Sequence, residues 1–223
     1  MAINFWNIFL VLYIPLHALT HLPLIDFRAY KIDNSITEGR TLPENAKKDI
    51  YKDVWFYEVN GLTKEFTTED KPWLIKGAVF KDRKTNLIEK GDEPLIKDFE
   101  ITDYFTSFDM TDSILGLDKV VLLVSHDIEK TKVKAHSLID RNVLDFLNSQ
   151  NIPIYGLSAS SLEDVETTLL LNKIDYPYFS VDQTTLKTII RSNPGLIVLE
   201  KGVVKEKLHW RDFPKDWKEF INK

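Results

Sequence analysis

His126 stands beside Asp127, and an imidazole titrates near neutrality, so this pair invites acid/base chemistry. An exposed polar pair at the turn from a strand into a helix is also ordinarily just solvated. Ser125 has no neighbour that would lower its pKa and reads as a strand-end or capping residue. The histidines are His17, His21, His126, His136 and His209, and their spacing offers no metal-ligand pattern. His17 and His21, four apart, share a helix face but lack an acid, and they read as polar residues at a membrane boundary. Asp98, Asp103, Asp109 and Asp112 scatter through strand and loop as solvated carboxylates. The eight glycines are dispersed and build no phosphate-cradling loop. The chain has no cysteine, which excludes disulfides, thiolate nucleophiles and sulfur metal sites together. No catalytic residue, cofactor or metal set follows from these patterns.

The chain of 223 residues is long enough for one substantial core plus a smaller module. Its net charge of -5, with every basic stretch interleaved by acids, argues against a nucleic-acid partner. The opening is different in kind. Residues 1–25 carry no charged side chain, and Ile3 to Leu22 just reaches the roughly 20 apolar residues that a spanning helix needs. Pro15, His17 and His21 weaken its second half. Basic residues before the run and a small-x-small site after it, which a cleaved signal would carry, are not evident. An uncleaved membrane anchor is therefore the expectation, with a signal peptide or a buried helix as alternatives. Arg28 and Lys31 alone are too few to orient it.

The stretch His21 to Tyr30 is too rich in proline and large apolar residues for a flexible tether and reads as an ordered connector. Val54–Val59 and Leu62–Phe66 flank Asn60-Gly61, a hairpin signal because a type I′ turn needs positive φ at both central residues. Gly77–Phe80 and Asn86–Glu89 extend this into a small antiparallel module. After Pro94 the pattern changes. Phe99–Ile101 reads as a strand, and Val120–Val124 is a continuous apolar run of the kind buried on both faces. Thr131–Gln150 predicts one helix, Ile152–Leu157 a strand, and Ser160 the cap of a helix over 162–172. Tyr178–Val181 is extended, Thr184–Arg191 helical, and Leu196–Leu199 pairs as a hairpin with Val203–Leu208. Trp210, Phe213, Trp217 and Phe220, spaced by three and four, predict an amphipathic C-terminal helix packed on the core. Strands separated by helices imply crossovers and an α/β domain. The expected divisions are 1–25, an anchor; 26–93, connector and β module; and 94–223, the α/β domain.

The order in Thr184–Val204, a helix, Ser-Asn-Pro-Gly, a strand and a hairpin partner, resembles the second half of a thioredoxin fold. More specifically, HLPLIDFRAYKI (21–32), EPLIKDFEIT (93–102), LSAS (157–160) and TTLKTIIRSNPGL (184–196) resemble the C-terminal portion of Bacteroidetes DoxX/MauE-type membrane proteins. Those proteins carry a thioredoxin-like domain behind a bundle of transmembrane helices. The resemblance implies a mixed sheet flanked by helices, with the apolar segment before His-Leu-Pro as a last transmembrane helix and the domain in the periplasm at the inner membrane. It also implies a cis bond at Pro194, exposing a strand edge for peptide pairing; a plain turn at Pro194-Gly195 is the alternative. The upstream helices and the family's Cys-bearing membrane motif are absent from this sequence.

In an active thioredoxin fold, Cys-x-x-Cys sits where the first core strand meets the following helix, whose N-terminus stabilises a thiolate. Here that stretch is Val124–Lys130. The expected partner groove is thus Ser125, His126, Asp127 and Ile128 opposite Asn193 and Pro194. The reading is a membrane-anchored, cysteine-free thioredoxin-like binding or assembly component rather than an enzyme. Its expected partner is a polytopic DoxX/MauE-type protein or an extracytoplasmic client peptide. Two alternatives stay open: an accessory to an oxidoreductase whose thiols lie on another chain, and a structural domain with no retained activity.

Overall fold

The five residues Val120–Val124 are all at or below 1% exposure, and they form the centre of the larger of two sheets. The computed structural model describes Tyr13, His17 and residues 20–222. These divide into two compact units, residues 1–41 with 95–223, and residues 42–94. The anchor expected over residues 3–22 lies largely outside the described residues. Among those described, no helix is long and apolar enough to cross a membrane.

The smaller unit is a three-stranded antiparallel sheet of β1 (Ile50–Val59), β2 (Leu62–Thr67) and β3 (Val79–Glu89), in the order β2-β1-β3. Asn60 at φ 56° and Gly61 at φ 75° make the turn that their sequence requires. The two segments expected at 77–80 and 86–89 are one continuous strand, β3. Its middle residues, Lys81 to Thr85, are polar, but β1 lies alongside and supplies their backbone partners. Pairing, not hydrophobicity, decides this strand. Trp55, Trp73 and Phe80 cluster edge to face, and Arg83 lies over the Trp55 ring at 5.1 Å.

After residue 20, the larger unit contains a short helix α1 (Ile36–Gly39) and then runs β4 (Thr102–Asp103), α2 (Thr111–Leu115), β5 (Val120–Ser125), α3 (Val133–His136), α4 (Arg141–Ser149), β6 (Ile154–Ser158) and α5 (Leu162–Asn172). It closes with β7 (Tyr178–Ser180), α6 (Gln183–Ile189), β8 (Gly195–Glu200), β9 (Val203–His209), a 3-10 turn at Trp210–Asp212 and α7 (Trp217–Ile221). The sheet order is β4-β7-β6-β5-β8-β9. β5, β6 and β7 are parallel, while β8 runs antiparallel to β5 and β9 antiparallel to β8. A parallel β-α-β unit followed by a helix, an antiparallel hairpin on the other side of the first strand and a final helix is the thioredoxin-like α/β arrangement. Apolar side chains from both faces of β5 and β8 feed two separate core clusters, one per face.

Several expected elements change at their ends. Phe99–Ile101 is loop rather than strand, although Phe99 and Ile101 are buried. The helix expected over 131–150 is two helices, because Asp140 caps α4 by accepting the Val143 amide at 3.0 Å. The cap of α5 is Ser161, not Ser160. Pro214 divides the C-terminal aromatic run into the 3-10 turn and α7, with Phe213 and Trp217 buried. Residues 26–41 were grouped with the β module on sequence, yet they pack in the α/β unit: the Asp33 amide donates to the Val204 carbonyl at 2.7 Å and the Ile36 amide to Gly202 at 2.8 Å.

Candidate functional site

The end of β5 and the start of β8 are neighbours in register, Val124 opposite Gly195, so the loops that follow one and precede the other must meet. They do so through Asn193, whose Nδ2 donates to the Asp127 carbonyl at 2.7 Å. The Asn193–Pro194 peptide bond is cis. Ser192 Oγ donates to the Pro194 carbonyl and accepts the Trp210 amide at 3.0 Å, while the Lys132 amide donates to the Asn193 carbonyl at 3.3 Å. On the other side, the Ile128 amide donates to Ser160 Oγ at 3.0 Å, which is the job that Ser160 has instead of capping α5. The six residues expected to form a groove are therefore adjacent, but they are not equivalent. Ser125 and Ile128 are fully buried and Pro194 is buried too, leaving His126, Asp127 and Asn193 partly accessible.

Two side-chain polar atoms at this junction are buried without a partner, His126 Nδ1 and Asn193 Oδ1. Such an atom costs on the order of 1–3 kcal/mol unless something satisfies it. Burial, then the nearby Lys187 charge, pushes the His126 pKa below its ordinary value, so the imidazole is neutral at pH 7 and acts as a hydrogen-bonding group rather than a cation. Asp127 bonds Lys130, which lowers its carboxyl pKa and fixes it as an acceptor already in use. Its carboxylate bonds Lys130 rather than His126.

Beneath this loop lies a buried polar chain of hydrogen bonds. Ser125 Oγ is 3.3 Å from both Thr131 Oγ1 and Tyr178 OH. Thr131 Oγ1 reaches His136 Nε2 at 3.0 Å, and His136 Nδ1 reaches Tyr176 OH at 2.8 Å. The Tyr176 and Tyr178 side chains stack, with ring centroids 5.8 Å apart. Burial pushes His136 down to about 4 and both tyrosines upward, so every member is neutral near pH 7. This chain of bonds is a neutral scaffold for the 125–131 turn. Ser125, read on sequence as a cap, is its hub. Sequence reasoning missed His136, Thr131, Tyr176 and Tyr178; the available signal was a lone histidine within an apolar helical pattern, which says nothing of its partners.

A second cluster forms where the chain ends approach. His21 Nδ1 contacts both Asp212 oxygens, at 2.8 and 2.9 Å, and donor atoms of His21, His209 and Asp212 all lie within 4.8 Å of one another. His17, predicted to share a face with His21, stacks on it at 4.9 Å.

No family model matches the sequence, and no curated protein matches it. Among solved structures, a thiol:disulfide interchange protein from Bacteroides sp. is similar over 56% of this chain and 87% of its own, at 13% identity and a TM-score of 0.44. A thiol-disulfide oxidoreductase from Bacteroides fragilis NCTC 9343 is similar over 56% of this chain and 95% of its own, at 10% identity and 0.44. Peroxidoxin BcpB from Mycobacterium tuberculosis gives 56% and 89%, at 16% identity and 0.43. The fold assignment itself stands on this chain's strand order and pairing.

Proposed function

We propose that the α/β unit is a protein-binding module that holds an extended partner segment at the junction of the 125–128 and 192–194 loops, without thiol chemistry of its own. The observation that carries this reading is the pair of unpartnered atoms, His126 Nδ1 and Asn193 Oδ1, on the two loops that Asn193 Nδ2 joins. A peptide backbone offers a donor and an acceptor on every residue and satisfies such groups at little cost in specificity. The absence of cysteine means that any sulfur chemistry at this junction belongs to another chain. The apolar segment 3–22 and the resemblance of 21–32 and 184–196 to DoxX/MauE-type proteins support an assignment to the periplasmic face of an inner membrane, with a polytopic protein of that type as the partner.

The test is site-specific photo-cross-linking in native membranes, with a photoreactive residue at position 126 or, for comparison, at exposed Glu166. A partner captured from 126 but not from 166, and lost on Asn193→Ala, is the expected result. Equal labelling from both positions, or labelling indifferent to Asn193, overturns the assignment of this junction. Whether the captured chain carries a cysteine pair separates a split redox assembly from simple binding.

A further inference from the structure

We propose that His21, His209 and Asp212 form a binding site for one divalent first-row transition ion, with Zn²⁺ as its representative. His21 lies 188 positions before His209 and 191 before Asp212, and only the docking of the connector beside β9 assembles the three. Two imidazoles and one carboxylate are a donor set that suits zinc and its neighbours and does not suit the oxygen-seeking Ca²⁺ or Mg²⁺.

The geometry needs only small side-chain rotations. Each residue offers a donor atom within 4.8 Å of the other two, and an ion bonding each at roughly 2.0–2.2 Å would hold the ligand atoms about 3.3 Å apart, opening the 2.8 Å His21–Asp212 contact slightly. His21 and Asp212 are about one-third exposed on their side chains, at 33% and 39%, so the ion has an entry path. His21 Nδ1 already lies 2.8 Å from the Asp212 carboxylate, so these two ligands meet before any ion binds. Binding must exchange two contacts, the His21 Nδ1–Asp212 hydrogen bond at 2.8 Å and the Arg211 amide donating to His209 Nδ1 at 3.2 Å. Arg211 brings the only opposing charge in the 3-10 turn, and it is turned aside, with Nη1 on the Thr20 carbonyl at 2.8 Å and its guanidinium over Trp210 at 4.6 Å. His17, stacked on His21, is a further imidazole within one helical turn. Three protein ligands leave a fourth position for water or that imidazole.

An ion held here would tie residue 21 to residues 209 and 212 and so fasten the start of the connector to the end of β9. Binding favours deprotonated ligands and therefore weakens as imidazoles protonate.

The experiment is calorimetric titration of the full chain, in detergent micelles at pH 7.5, with Zn²⁺ alone. One equivalent should bind, and His21→Ala, His209→Gln or Asp212→Asn should each weaken it by at least about tenfold, while Asp118→Asn leaves it unchanged. Circular dichroism confirms that each variant is folded. A measurement on the unaltered chain runs beside it: Zn²⁺ should protect His21 and His209, but not His126, from carbethoxylation. Absence of saturable binding, binding undiminished in a His21→Ala, His209→Gln double variant, or no protection of these two histidines overturns the proposal.

Discussion

His136 shows what a single side chain controls here. It is 3% exposed, bonded through both ring nitrogens, and its pKa is depressed to about 4 because burial disfavours the charged ring. The unfolded chain, titrating at 6.5, therefore binds a proton that the folded chain refuses between those values. This residue should cost the fold stability progressively as pH falls from about 6.5 to 4, by about 3 kcal/mol in full, since each unit is worth about 1.4 kcal/mol. Urea unfolding at pH 7.5 and 5 checks this: His136→Gln should flatten the slope between them, and an unchanged slope would place the acid sensitivity elsewhere. The neighbouring residues were half legible. A serine after five consecutive apolar residues reads correctly as a strand end, but its Tyr178 and Thr131 partners come from other elements and leave no mark on the local sequence.

Among the elements, the connector is held least by regular structure and most by charge. Lys207 on β9 is 3% exposed on its side chain, and its Nζ donates to Asp26 at 2.6 Å and to the Tyr30 carbonyl at 3.0 Å. Asp26 also receives Arg28, and although burial opposes ionisation, these hydrogen bonds hold its carboxyl well below the usual range. Asp26→Ala would strand a buried ammonium and should destabilise the α/β unit by about 3 kcal/mol. An Asp26→Leu, Lys207→Met pair should recover most of that loss. Denaturant midpoints of the single and double variants decide the matter, and a double variant no more stable than Asp26→Ala would refute the pairing argument. The elements whose periodicity was strong, β1, β2, β5, β8 and β9, were readable to within a few residues. β3 was not, because five polar central positions, Lys81 to Thr85, become strand only when β1 lies alongside.

For the molecule as a whole, the α/β unit is interrupted between residues 41 and 95 by the β module. The two ends of the interruption are already joined on the α/β side: the Ile96 amide donates to the Gly39 carbonyl at 2.8 Å, and Ile96 covers Gly39 closely enough that a Cβ there would meet its Cδ1 at 2.8 Å. Replacing residues 42–94 by a short Gly/Ser linker should leave a cooperatively unfolding α/β domain with a smaller denaturant slope, because less surface is exposed on unfolding. Loss of cooperative unfolding would contradict an independent core. The amino-acid sequence by itself holds no cysteine, and it determined the buried central strand, the Asn-Gly hairpin and the helix–Pro–hairpin order of the second half, since each is written in residue types a few positions apart. Tertiary structure alone decided that residues 26–41 belong to the α/β unit, that Ser125 joins a buried polar chain, and that His21 meets His209 and Asp212. Those outcomes depend on side chains brought together across as many as 191 positions, where hydrogen bonding and charge pairing act through space and local pattern carries no record of the partner.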